Sequence, residues 1–183
     1  MLATMPLSVM ATIINISPAA QNVTLGEKFS VDISVNELSA EIVGGFDLRV
    51  EWNAMLLSFD SLIFSGYFGD GSTNSVRGSV IESGGIDVWE ISLLNNLAFQ
   101  NDLTLFTLEF NTLASGEGDL TLLSAIPNNS FGLSDTSGSI LQHDIGLAAG
   151  FKIVAVNEPA LLSLFGLGLL GIYGMRRGNK QRS

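Results

Sequence analysis

One histidine, His143, and no cysteine set the limits of the chemistry this chain can perform. A lone imidazole cannot build a two-histidine metal site, and any histidine-activated nucleophile would have to use this one. His143 falls in Ser139-Ile140-Leu141-Gln142-His143-Asp144, which reads as an exposed loop, so a structural or solvated role is expected. Carboxylates are the remaining candidates, because a pair of them suffices for glycoside hydrolysis. Asp87 with Glu90 and Asp47 with Glu51 are the pairs to consider, but Asp47 and Glu51 alternate with Phe46 to Trp52 and so read as the wet face of a strand. Asp70-Gly71-Ser72-Thr73-Asn74 gathers oxygens in a glycine-containing loop, as calcium sites do, without the spacing or closing glutamate of an EF-hand. Phe64, Tyr67 and Phe68 are a candidate aromatic platform for a sugar or a partner, set against the usual role of such clusters in a core. No catalytic residue, metal or cofactor is expected.

The elements that must position these residues are strands. Phe29, Val31, Ile33 and Val35 share one face, with Ser30, Asp32 and Ser34 on the other, and the same period of two returns in Phe46, Leu48, Val50 and Trp52, in Phe106, Leu108 and Phe110, and in Leu120 with Leu122. Before Ala160 no segment sustains a helical stripe. Gly44-Gly45, Asp70-Gly71-Ser72, Ser83-Gly84-Gly85, Ser115-Gly116-Glu117-Gly118 and Pro127-Asn128-Asn129 supply turn chemistry at short intervals. The pattern predicts about nine strands: Thr12–Ser17, Phe29–Asn36, Gly44–Trp52, Leu56–Phe64, Ser79–Ser83, Ile86–Leu93, Leu103–Asn111, Gly118–Leu123 and Gly150–Val156. Residues 12–156 are then one all-β domain, an antiparallel jelly-roll sandwich whose stability rests on a packed core, since no disulfide is available.

The two ends differ from this domain. Asn157-Glu158-Pro159 is a polar breaker, Ala160 to Met175 an uncharged apolar run, and Arg176, Arg177, Lys180 and Arg182 a basic tail. An apolar helix closed by cations is a membrane segment with a cytoplasmic tail, so residues 12–156 are expected outside the cytoplasm. At about 1.5 Å per residue the run spans roughly 24 Å of a core of about 30 Å, a short transmembrane helix. Residues 1–11 (MLATMPLSVMA) lack a basic start but end in small residues, and read as a partial signal peptide or an N-terminal arm, the former implying a translation start upstream. All 18 acidic residues precede the apolar run, against only Lys28, Arg49, Arg77 and Lys152 of the 8 basic ones. So acidic an exported part disfavours nucleic acid as a partner.

The tripartite end, EPALLSLFGLGLLGIYGMRR with Asn157 before it, resembles the PEP-CTERM sorting signal of Gram-negative, exopolysaccharide-producing bacteria; Glu158 and Pro159 match its motif and Asn157 stands where proline is usual. The resemblance implies an exosortase-type membrane protease as partner, an inner-membrane precursor, cleavage at the motif, and release to the cell surface or extracellular matrix. Over residues 12–156, ISPAAQNVTLGEKFSVDISVNEL, GGFDLRVEWNAMLLSFDSL, LTLFTLEFNTLASGEGDLTL and GFKIVAV resemble a cohesin domain in order and spacing. That implies a nine-stranded jelly roll and a non-catalytic module for a protein or polysaccharide ligand. The other functional classes are a secreted carbohydrate-active enzyme or its accessory domain, and a structural protein of the exopolysaccharide matrix.

Overall fold

The computed structural model describes residues 12–38, 40–124 and 132–155; the arm 1–11 and the motif, apolar run and basic tail of 157–183 lie outside the described residues. Among the described residues no helix is long and apolar enough to cross a membrane. The strands in chain order are β1 (Thr12–Ser17), β2 (Ala20–Thr24), β3 (Lys28–Asn36), β4 (Val43–Glu51), β5 (Leu57–Phe64), β6 (Ser75–Glu82), β7 (Gly85–Ser92), β8 (Leu103–Thr112), β9 (Gly116–Ser124), β10 (Leu133–Asp135), β11 (Ile140–Leu141), β12 (His143–Ile145) and β13 (Ala149–Val154). One sheet runs β12-β1-β3-β8-β5, the other β11-β10-β4-β9-β13-β2, with β7 on the free side of β4 and β6 on β7.

Alternation drives this arrangement. Along β3 the odd positions Phe29, Val31, Ile33 and Val35 are buried and the even ones face out, as period two demands of a half-buried strand. β8 does the same with Leu103, Leu105, Phe106, Leu108 and Phe110, a register shift against β3 after Ile33 absorbing the consecutive buried pair Leu105-Phe106. The two sheets close over one apolar core in which Phe29, Phe110 and Trp52 stack at one end and Phe46, Phe68 and Phe106 at the other.

All nine predicted strands are present, but the sandwich holds more, and it is not wholly antiparallel. β2, β10, β11 and β12 were not anticipated, and β1 with β12 and β2 with β13 pair in parallel. Gly44-Gly45, read as a turn, lies inside β4. A side chain on Gly44 would run into the backbone of Asp135 and one on Gly45 would press on Ser134, so the bare pair lets β10 close against β4. β6 starts four residues earlier than predicted because Ser75 is already buried against β7.

Candidate functional site

The outer surface of β6, β7, β4 and β9 departs from an ordinary solvated sheet. The register sets Val76, Ile91 and Gly45 in one rung; Gly78, Trp89 and Asp47 in the next; Val80, Asp87, Arg49 and Leu123 in the third; and Glu82, Gly85, Glu51 and Thr121 in the last. Val76, Val80 and Ile91 are 57%, 48% and 53% exposed, so a row of aliphatic surface stands in water beside a band of acids. Contiguous apolar surface rimmed by polar groups marks an interaction site more often than chance scatter.

Trp89 is the centre of this surface. A side chain on Gly78 would collide with the Trp89 ring, which places the indole across the glycine rather than upright. Beside it opens a cleft of about 310 Å³ between Trp89, Asp47 and Ile91 on one side and Ser134, Asp135 and Thr136 of the β10 hairpin on the other. The Asp47 carboxyl is half-buried, and among the described residues no donor reaches it. Desolvation in the cleft wall, and then the neighbouring charge of Asp87, raises its pKa above the ordinary carboxylate value. An aromatic plane with an unpartnered, partly desolvated carboxylate is a receptor for a donor carried on an apolar stem.

The other acids of the face are already engaged. Arg49 Nε donates to Glu51 at 2.8 Å, Nη2 to Glu82 at 3.0 Å, and Nη1 to both Asp87 oxygens at 3.0 and 3.1 Å. This single guanidinium neutralises the middle of the face and leaves it net negative. Replacing Arg49 by alanine is expected to destabilise the fold by about 1 to 2 kcal/mol at low salt, more than one exposed pair would, because three carboxylates lose the cation they share. Urea denaturation at low and high ionic strength checks this, and the deficit should shrink as salt screens the remaining repulsion.

The residues singled out from sequence are placed as follows. Asp87 and Glu90 do not form a pair, since three residues apart on a strand they point to opposite faces: Asp87 outward to Arg49, Glu90 wholly buried beneath the sheet. Asp47 and Glu51 do share the outer face. Of the aromatic platform, Phe68 is 0% exposed, its ring 5.3 Å from Phe46 and 4.9 Å from Tyr67, and so presents no surface. Phe64 and Tyr67 are half-buried on the core, Phe64 with Arg77 above its ring and Tyr67 donating its hydroxyl to Ala98 O at 2.9 Å. Asp70 Oδ1 is engaged by its own loop: it accepts the amides of Ser72, Thr73 and Asn74, which keep the carboxyl well below the usual range. His143 opens β12 instead of lying in a loop, half-buried, its ring against Gly132 and Nδ1 2.8 Å from Leu141 O. Among the described residues no three acidic or histidine side chains converge as metal ligands would. Asn157, Glu158, Pro159, Arg176, Arg177, Lys180 and Arg182 lie outside the described residues.

Sequence reading missed Trp89, and a signal for it was present. In Ile86-Asp87-Val88-Trp89-Glu90-Ile91 the phase set by Ile86 and Val88 puts Glu90 inward and Trp89 and Ile91 outward, the reverse of what their polarity favours.

No family model matches this sequence, and no curated protein does. Solved structures do share its fold. The sixth cohesin of scaffoldin B from Acetivibrio cellulolyticus, solved with a Cel5 dockerin mutant, superposes with a TM-score of 0.64 at 12% identity over 79% of this chain and 100% of that one. The cohesin of the Coh-OlpC-Doc435 complex from Clostridium thermocellum gives 0.61 at 8% identity over 85% and 100%. The cohesin module of a family 33 glycoside hydrolase from Clostridium perfringens gives 0.58 at 18% identity over 79% and 98%. The chain therefore has the cohesin jelly-roll fold.

Proposed function

We propose that this protein is an exported, non-catalytic docking module that captures a protein partner on the outer face of β6, β7, β4 and β9. The observation that carries this is the cleft in which Trp89 lies beside Asp47, whose carboxyl no donor among the described residues reaches, set in exposed aliphatic surface. Its chemistry asks for a partner that brings a basic or hydroxyl side chain on an apolar stem, with further aliphatic residues for Val76, Val80 and Ile91. Structural neighbours were solved as complexes with dockerins, which makes a dockerin-like module the first class to try. The tripartite C-terminus supports delivery to the cell surface or extracellular matrix by an exosortase-type protease.

Titration calorimetry of the 183-residue chain against a panel of dockerin modules, with neutral and anionic polysaccharides as a second panel, tests the reading. A protein ligand should bind, and Trp89→Ala should weaken it at least about 30-fold, the loss expected of a central aromatic anchor. Asp60→Ala, on the outer surface of the opposite sheet, should leave affinity unchanged. Binding of a polysaccharide alone, abolished by Trp89→Ala, would replace the protein reading with a glycan one. Binding of a protein that survives Trp89→Ala and Asp47→Ala would overturn the assignment of the face.

A further inference from the structure

A second apolar surface, apart from the docking face, lies at the end of the sandwich where the chain departs. β2, β4, β8 and β13 finish at this end and β3, β5 and β9 begin there, so the loops 25–27, 53–56 and 113–115 gather around Val154. Backbone bonds hold them side by side: Leu113 N donates to Leu56 O at 2.8 Å, Leu25 N to Val154 O at 2.8 Å and Thr112 N to Glu27 O at 3.3 Å. The buried Thr112 hydroxyl accepts the Gly26 amide at 2.7 Å and lies 3.2 and 3.0 Å from the carbonyl oxygens of Thr24 and Glu27. On this fixed base Met55 is 80%, Leu113 53% and Val154 42% exposed, with Leu25 and Leu56 half-buried behind them. Large apolar side chains held out into water by rigid loops mark a surface that is covered in use.

Two observations say what covers it. The first is where the chain goes: β13 ends at Val154, inside the patch, and five residues of extended chain to Pro159 reach at most about 18 Å before the apolar run opens at Ala160. The second is charge. The domain is strongly acidic, yet round this end Asp60 pairs with Lys28, Glu51 and Glu82 with Arg49, and Glu117 with Lys152. Three of the four cations that precede the apolar run are thus spent here, and Glu27 is the one carboxylate of these loops with no cation beside it among the described residues. Neutralising its rim lowers the repulsion that this end would meet at a headgroup layer.

We propose that this end of the sandwich is a lipid-contact surface: Met55, Leu113 and Val154 rest in the headgroup layer of the bilayer that anchors the chain. The proposal rests on the reading of residues 160–175 as a membrane segment and is independent of the docking face. Three aliphatic side chains would hold a free bilayer weakly, but the short tether makes the contact intramolecular and so raises the effective concentration of lipid at the patch. A second copy docked end to end has no such tether and would bring Glu27 towards its own counterpart. With these strand ends down, β6, β7, β4 and β9 stand away from the bilayer, and the Trp89 cleft stays open at the side to a partner.

The chain has no cysteine, so one introduced thiol carries a fluorophore at a single place. The 183-residue chain is labelled at Ala54→Cys, exposed beside the patch, or at Asn96→Cys, exposed in the β7–β8 loop at the opposite end, and reconstituted into phosphatidylcholine vesicles bearing a nitroxide near the headgroup. Quenching should be at least about threefold stronger at position 54 than at position 96. Met55→Ser combined with Leu113→Ser, both at exposed positions, should bring position 54 down to the level of position 96 while the chain stays with the vesicles. Equal quenching at the two positions in vesicle-bound chain overturns the lipid contact and leaves the membrane segment standing, whereas a chain that does not partition into vesicles overturns both. Quenching at position 54 that survives the two serines means that the tether alone brings this end close, and overturns the role of the patch. Self-association that the serines abolish, without quenching by lipid, gives the surface to a second copy instead.

Discussion

Replacing Phe110 by alanine is expected to cost about 3 to 5 kcal/mol of folding stability, the largest single-residue loss in the domain. Phe110 is fully buried, and its ring joins the two sheets, stacked on Phe29 of its own sheet at 5.6 Å and edge-on to Trp52, which follows β4 of the other, at 5.0 Å. Phe29 passes the contact on to Phe151 of β13 at 6.0 Å. Alanine would remove the transfer energy of the ring and leave a void that the Phe29 and Trp52 rings, one from each side of the sandwich, cannot collapse to fill. Against a total of about 5 to 15 kcal/mol, that loss is a large share of the stability of a chain that has no disulfide to fall back on. Urea denaturation should show the midpoint fall with the slope unchanged, and the thermal midpoint should drop by about 10 °C. Leu123→Ala, at 40% exposure on the outer face, is the control and should change stability by no more than about 1 kcal/mol. A Phe110→Ala variant within that same margin would mean that the ring cluster is not the seam between the sheets.

The long strands were legible because alternation and burial agree in them: in β3 every second residue is large and apolar, and β8 keeps the same period on either side of the single phase shift at Leu105-Phe106. The strands that escaped have little apolar surface to announce them. In β2 only Val23 is buried, and the strand exists because its backbone pairs with β13, a partner about 130 residues on that local pattern cannot reveal. β10, β11 and β12 span two or three residues each, too short for any period. Asp47 was readable as a surface carboxylate, but its pairing with Trp89 rests on the β4–β7 register and its cleft on the β10 hairpin, both of them long-range facts. The platform of Phe64, Tyr67 and Phe68 failed at Phe68 for the converse reason: three aromatics close in sequence share a locale without sharing a face.

The same long-range facts set the shape of the proposed docking face. Arg49, Gly78 and Gly45 each look unremarkable in sequence, yet the first gathers three carboxylates, the second lets the Trp89 ring lie flat, and the third gives Ser134 and the β10 hairpin room against β4. A binding surface held this way, by backbone clearances and one cation rather than by mobile loops, is preformed, which lowers the ordering cost of association.

The mature exported protein is expected to lack everything after the Asn157-Glu158-Pro159 motif. Three features of different physics occur there in the order a sorting signal needs: a polar break, an apolar run too short to be a comfortable anchor, and a cationic end that resists translocation. The folded domain comes close to the motif, since β13 ends at Val154 and five residues of extended chain to Pro159 reach at most about 18 Å. On the proposed sorting route the sandwich would sit against the membrane while the motif is cut. Intact-mass measurement of protein recovered from the culture exterior should find a C-terminus near Glu158, and in a strain without the exosortase the full chain should accumulate in the inner membrane. Lengthening the stretch after Val154 by a few glycine and serine residues should speed the cut if the crowding is real. Recovery of exterior protein that still carries Arg182 would reduce the C-terminus to an ordinary anchor and detach delivery from the docking function.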